Sequence, residues 1–397
     1  MIEALEEKKG SESLHELTEC LVTLGILLRD HGQPFEALPY LARAVEIAKP
    51  FDTGSVAAKE TLADALMNRG ICDLTLATPA HVASALEAFD AAIGIRSRLP
   101  LEGYPGTRWG LAAAYMNRGD ALTRLHGPTG EAREAYDLAI TELDHIGPGD
   151  GFDLLQRKAL AWTNRGLATG SPDEAIACFS RGIDLLADSS SDRHLLTRCH
   201  ALLHRGLLHL SKIGDTALAQ TDARALIAIT RANERRYPAM AEVGLHARHL
   251  LCRALVKSLE DGTPAENGDW IAEASDTVED ALSLERYWAA RDIRAFRTIA
   301  FELFVLGLRI YRVCQPHFLS EFILESLDPA TTPGAPRDDP RFLEAAAVAI
   351  KQGLDDALVR GASSTLQPED HAKELAIIDA LKAADLRLSR LQKSGQG

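Results

Sequence analysis

The sequence predicts an all-α protein built from stacked antiparallel helix pairs. Three observations predict it. Apolar residues recur at steps of three and four, the spacing of one helix face, and the alternating Val, Ile and Thr runs that would mark strands are missing. A short phrase ending in glycine returns along the chain. Turn-forming residues fall between its copies.

The phrase is Met67-Asn68-Arg69-Gly70, then Met116-Asn117-Arg118-Gly119, Asn164-Arg165-Gly166 and the variant His204-Arg205-Gly206. These glycines are 49, 47 and 40 residues apart, and Gly25, 45 residues before Gly70, marks a degenerate earlier copy. A second signature follows: an alanine, a bulky residue four positions on, and a small residue three further. Its copies are Ala37-Leu41-Ala44, Ala85-Phe89-Ala92, Ala132-Tyr136-Ala139 and Ala175-Phe179-Gly182. Steps of four and three put all three residues on one helix face, where small residues let two helices approach and the bulky one fills the groove between them. Punctuation lies where a hairpin model needs it, at His31-Gly32-Gln33-Pro34, Gly127-Pro128, Gly147-Pro148, Ser171-Pro172-Asp173-Glu174 and Gly214-Asp215. In the fourth of these the serine can cap a helix while proline takes its first position and acids its first turn.

The glycine followed by this small–bulky–small face resembles the tetratricopeptide repeat, with the family's spacing of twelve residues from Gly25 to Ala37. Later copies depart from it, with three extra residues before Ala85, one before Ala132 and three fewer before Ala175. The resemblance covers residues 14–230. It implies a right-handed superhelical solenoid whose first helices line the concave side. Residues 1–232 are therefore expected to form tetratricopeptide-like hairpins. Residues 233–327 form divergent pairs: a long helix near 239–259, the signature again in Ala274-Val278-Ala281, and apolar segments at 293–313 and 318–327. Residues 328–340, with four prolines, read as a linker. Two C-terminal capping helices follow within 341–397. The last repeats Ile377, Leu381, Ala384, Leu388 and Leu391 at helical steps, which reads as a cap on an open array or as a seam for a homodimer.

Composition excludes several functions. Apolar residues make up 46% and charged residues 25%, so the chain has enough apolar surface to fold. Its 397 residues exceed one compact core and point to two domains or an elongated array. The net charge of −14 disfavours nucleic acid and anionic membranes, both of which attract Lys and Arg patches. The six cysteines are scattered without a C-x-x-C pair and read as buried thiols in a reducing compartment. The first ten residues are acidic and lack the apolar core of a signal peptide, and the most apolar stretch, 299–313, is interrupted by Glu302 and Arg309. A cytoplasmic protein is expected, with no membrane partner.

The candidate binding residues follow from helix geometry. At about 100° per residue, the asparagine two before each glycine points about 160° away from it. If the glycine faces the second helix, the asparagine faces the groove. The stripe then reads Asp64-Asn68-Ile71-Thr75, Ala113-Asn117-Asp120-Arg124, Leu160-Asn164-Leu167-Ser171 and His200-His204-Leu207-Ser211. Side-chain amides can both donate to and accept from an extended peptide backbone. In peptide-binding members of the family an asparagine at this place has that role, and the resemblance implies it for Asn68, Asn117 and Asn164. The stripe lacks the paired Lys and Arg that family members use to clamp a C-terminal carboxylate. Arg69, Arg118, Arg165 and Arg205 lie on the flank and are expected to bridge to acids of the adjacent hairpin.

The expected function is therefore a non-enzymatic scaffold, adaptor or regulator that holds a protein or peptide segment, with Asp64, Asp120, Arg124, His200 and His204 beside the asparagines. A sensor or inhibitor whose superhelix changes pitch is a second reading. A helical enzyme or metal-binding protein using His200, His204, His246 and His249, or the C-terminal region, is a third. Histidines four apart can share a metal, but none of these four lies in an H-E-x-x-H or E-x-x-H motif, and no phosphate loop or nucleophile elbow is present. No metal and no cofactor are expected.

Overall fold

The computed structural model describes residues 11–50, 54–261, 270–291, 293, 295–327, 339–362 and 367–394. The described residues form sixteen α-helices and no strand, in agreement with the all-α expectation. The N-terminal decapeptide, the loop at 262–269 and most of the proline-rich segment (328–338) lie outside the described residues. The chain divides into two compact units, Met1–Ala201 and Leu202–Gly397. The sequence divisions at 232, 327 and 340 all fall inside the second.

The first unit contains α1 (Ser11–Asp30), α2 (Pro34–Ala48), α3 (Val56–Leu76), α4 (Pro79–Arg96), α5 (Pro105–His126), α6 (Gly130–Asp144), α7 (Leu154–Leu167) and α8 (Pro172–Leu185). Each helix packs mainly on those one and two places along the chain. That is the contact pattern of a repeat array, and the short turns make each pair antiparallel. Caps set the helix starts. Ser55, Thr78, Thr129, Asp153 and Ser171 each accept a backbone N–H in the first turn of the following helix, the last from Glu174 at 3.4 Å. Gly32 and Gly127, with φ of +79° and +73°, end α1 and α5 in a conformation that L side chains rarely adopt.

The helix–helix contact is the one the signature demands. A Cβ at Gly25 would lie 2.5 Å from Leu41, at Gly70 2.5 Å from Phe89, at Gly119 2.6 Å from Tyr136 and at Gly166 2.7 Å from Phe179. Each glycine is thus covered by the bulky residue of its own hairpin, with Ala37, Ala44, Ala85, Ala92, Ala132 and Ala139 fully buried alongside.

α9 (Asp192–Leu208) carries the division between the units. In the second unit it continues as a π-helical turn, His209–Ile213, and ends at Gly214 with φ of +78°. Then come α10 (Thr216–Thr230), α11 (Pro238–Glu260), α12 (Trp270–Ala289), α13 (Arg297–Cys314), α14 (Leu319–Leu327), α15 (Pro340–Gly361) and α16 (Pro368–Ser394). Gly206 is covered here by Leu250 of α11, because the bulky slot of α10 holds Asp222, which pairs with Arg205 at 2.6 Å. Gly307 of α13 repeats the original device under Phe322, 2.6 Å from its Cβ position, without the Asn-Arg-Gly phrase that would have flagged it. Arg248 is fully buried, donating to both Glu234 oxygens at 2.8 and 2.9 Å and to Asp280 at 2.6 Å. Ile377, Leu381, Ala384 and Leu388 of α16 are buried in the core they share with α14 and α15. The stripe that reads as a cap or a dimer seam is covered by the chain itself.

Two predictions follow from this packing. Gly119→Ala should melt earlier than the wild type, because overpacking against Tyr136 costs about 1–3 kcal/mol against a helical gain of about 1 kcal/mol. Gly94→Ala, on an exposed helix position with nothing within 4 Å of its Cβ, should melt at the same temperature or higher. An equal rise in both would refute the close approach. Arg248→Met should lower the denaturation midpoint by the equivalent of about 3–5 kcal/mol, since it leaves Glu234 buried and unpaired. Arg224→Ala, which breaks the half-exposed pair with Glu273, should cost no more than about 1 kcal/mol.

Candidate functional site

The stripe opposite the glycines is accessible in the first unit. Asp64 and Thr75 are exposed and Asn68 and Ile71 half-buried on α3. On α5, Ala113, Asn117 and Asp120 are half-buried and Arg124 is exposed. On α7, Leu160 and Asn164 are half-buried and Leu167 is exposed. On α9, His200 is exposed and His204 half-buried. The face that carries Gly70, Gly119 and Gly166 is buried in the hairpins. One packing constraint therefore decides which residues a partner could reach.

Most of the stripe is also engaged within the chain. Asp64 accepts from Arg96 Nη2 at 2.5 Å; Arg96 is itself buried and also bonds Glu60 at 3.0 Å. Asn68 donates to the Asp64 carbonyl one turn back at 2.9 Å. Asp120 Oδ1 accepts from Tyr136 Oη at 2.5 Å and from Asn164 Nδ2 at 3.1 Å, tying α5 to α6 and α7. Burial pushes the Asp120 carboxyl above its usual range, against the pull of Tyr136, Arg124 and Asn164. Arg124 donates to the Leu74 carbonyl at 2.7 Å, satisfying an end group of α3 where a cation is favoured. Asn117 is different: among the described residues its side chain makes no hydrogen bond. The structure thus brings Asp120 and Asn164 together and places Asn68 on its own backbone. Tyr136 and Arg96, which hold the stripe acids, carry no signal in the sequence beyond their positions in the second helices.

The flanking arginines divide by hairpin. Arg118 Nε meets Asp90 at 2.7 Å and Arg165 Nε meets Asp137 at 2.5 Å, both aspartates on the preceding hairpin, and Arg165 also pairs with Glu174 of its own hairpin at 3.0 Å. Arg205 instead pairs within its own hairpin, with Asp222. Among the described residues Arg69 finds only Asp73 of its own helix, at 3.9 Å.

The histidines gather no metal site: among the described residues no group of three or more His, Cys, Asp or Glu side chains could hold an ion. His246 and His249 are half-buried on α11, with Glu242 exposed one turn before His246. Burial, with Arg253 and His246 nearby, pulls the pKa of His249 from its ordinary 6.5 down to about 4. The half-exposed Glu302 carboxylate, 3.5 Å away, does not offset this. The unfolded chain therefore binds the proton first. His249 favours folding undiminished above pH 6.5, and that contribution is lost as the pH falls from there to about 4. His249→Gln should flatten the melting-temperature curve over this interval. An unchanged slope would remove His249 from the acid response.

No protein-family model and no curated protein matches the sequence. Among solved structures, the chain is similar to a signal-transduction ATPase with numerous domains and a tetratricopeptide repeat sensor from Pyrococcus horikoshii, with a TM-score of 0.51 and 12% identity. The likeness covers 99% of this chain and 54% of that one, so the chain spans about half its length. The nuclear import adaptor Nro1 of S. pombe, at 14% identity over 94% of this chain and 98% of that one, has a TM-score of 0.32. The tetratricopeptide domain of P58(IPK), at 14% identity over 96% and 99%, has one of 0.19. Both scores are below the level of a shared fold. No described helix is long and apolar enough to cross a membrane. The first likeness is one of fold, and it agrees with the glycine-covered hairpins in a tetratricopeptide-like all-α fold.

Proposed function

We propose that the chain is a non-enzymatic scaffold, an adaptor or regulator, that holds a protein or peptide segment along the accessible faces of its first helices. One observation carries this reading. The same helix face is left open in three successive hairpins and bears an amide at the same place in each, at Asn68, Asn117 and Asn164, while the opposite face is closed by packing. A row of amides in register suits an extended backbone, which presents donors and acceptors at regular intervals. Asn117, with its hydrogen-bonding capacity unused among the described residues, is the central contact of this reading, and Asn68 can turn from its own helix to a partner. Asn164 and Asp120 frame the site through their mutual bond.

Random dodecapeptides displayed on phage and selected on the full chain supply a probe. The lost hydrogen bond in Asn117→Ala should weaken selected peptides about 2- to 12-fold. Its stability should shift by no more than about 0.5 kcal/mol. Asn164→Ala should also lose stability, because it leaves Asp120 short of a donor. Peptides that bind Asn68→Ala and Asn117→Ala as tightly as the wild type would remove the stripe from the binding surface.

A further inference from the structure

We propose that the cleft between α2, α3 and α4 is a second docking site, in which Arg69 receives an acidic side chain of a partner peptide and Phe35 and Pro39 receive an apolar side chain beside it. The chain itself shows how an arginine at this place is satisfied. The arginine before the glycine crosses to the residue after the bulky side chain of the preceding hairpin: Arg118 to Asp90, which follows Phe89, and Arg165 to Asp137, which follows Tyr136. Partners in both pairs are 28 residues apart. Arg69 stands in the same place before Gly70, but the residue that follows Leu41 is Ala42. The acid is missing from the second hairpin's joint.

Among the described residues nothing else nearby replaces it. Asp73 lies 3.9 Å from Arg69 Nε, and its buried carboxylate already accepts from His81 Nδ1 at 2.7 Å and Ser84 Oγ at 2.9 Å. Glu46 feels the Arg69 charge through space, but its carboxylate is bonded to Lys49 at 2.6 Å. Where the aspartate would stand there is a cleft of about 580 Å³, with Ala42 and Arg69 in its lining. Phe35 and Pro39 form its apolar side, and Phe35 is 70% exposed, a large apolar surface left to water at the mouth. His81 holds the Phe35 ring edge-on at 6.4 Å.

The chemistry selects the occupant. A guanidinium beside an apolar wall suits a carboxylate followed or preceded by an aromatic or branched side chain. The Asp73 charge in the same wall repels a doubly charged phosphate more strongly than a single carboxylate. Asp64, Asn68, Ile71 and Thr75 are not in the lining, so this surface is separate from the asparagine stripe.

The test restores the missing acid. Dodecapeptides are selected on the full chain and counter-selected on Arg69→Gln. The survivors should carry an acid next to an aromatic or branched residue, and should bind Arg69→Gln about 10- to 150-fold more weakly, the loss of a charge-assisted hydrogen bond. Ala42→Asp should plug the cleft from within, lose the same peptides and melt no earlier than the wild type, while Asn117→Ala leaves their binding unchanged. If Ala42→Asp melts early, the Arg69→Gln comparison decides alone. Failure of any peptide to prefer the wild type over Arg69→Gln, enrichment without an acid, or undiminished binding to a well-folded Ala42→Asp overturns the proposal. Peptides that respond only to Asn117→Ala overturn the cleft and leave the stripe standing.

Discussion

A glycine in the first helix of each hairpin lies under a bulky side chain of the second, and the architecture of the first unit depends on that contact. Leu41, Phe89, Tyr136 and Phe179 are at most 2% exposed, and each occupies the space that a Cβ on its glycine would need. The small residues on either side narrow the gap between the helices further, and the bulky residue fills the groove between them. Once the glycine is turned inward, every other residue of the first helix is assigned a direction. The asparagines two positions earlier are accessible because the glycines are not.

Polar joints then set how successive hairpins in this unit meet. Arg118 and Arg165 reach back to aspartates of the preceding hairpin, Arg124 reaches a carbonyl at the end of α3, and Asn164 reaches Asp120. Partly exposed pairs of this kind add little to stability. Their geometric value is greater, since a planar guanidinium facing one carboxylate admits few alignments of the two helices. The joint without its aspartate, at Arg69 and Ala42, borders a cleft.

The second unit solves the same packing problem by other means. Leu250 and Phe322 cover Gly206 and Gly307, from helices at different places in the order. Glycine serves a polar core as well: a Cβ at Gly244 would lie 2.8 Å from Glu234 Oε2, inside the network that neutralises Arg248. Trp288 Nε1 donates to the Glu234 carbonyl at 2.9 Å and closes the same region. A buried arginine with two carboxylates selects one arrangement of α11 and α12, because any other leaves a charge unpaired.

What the sequence determined by itself was local and periodic. Helical spacing, caps such as Ser171 before Pro172, turn glycines and the glycine–bulky pairing are all visible within windows of about twenty residues, because backbone and side-chain sterics act at that range. That Asn68, Asn117 and Asn164 lie off the buried glycine face was legible for the same reason. Only the tertiary structure decided which polar groups meet. Asp64 with Arg96, Asp120 with Asn164, Arg124 with the end of α3, and Arg248 with Glu234 and Asp280 join residues between 14 and 50 positions apart. Such pairings depend on how helices cross and on distances of a few tenths of an ångström, which no periodicity encodes. Leu250 over Gly206 belongs to the same class: a glycine announces that something large must cover it, and the fold chooses what.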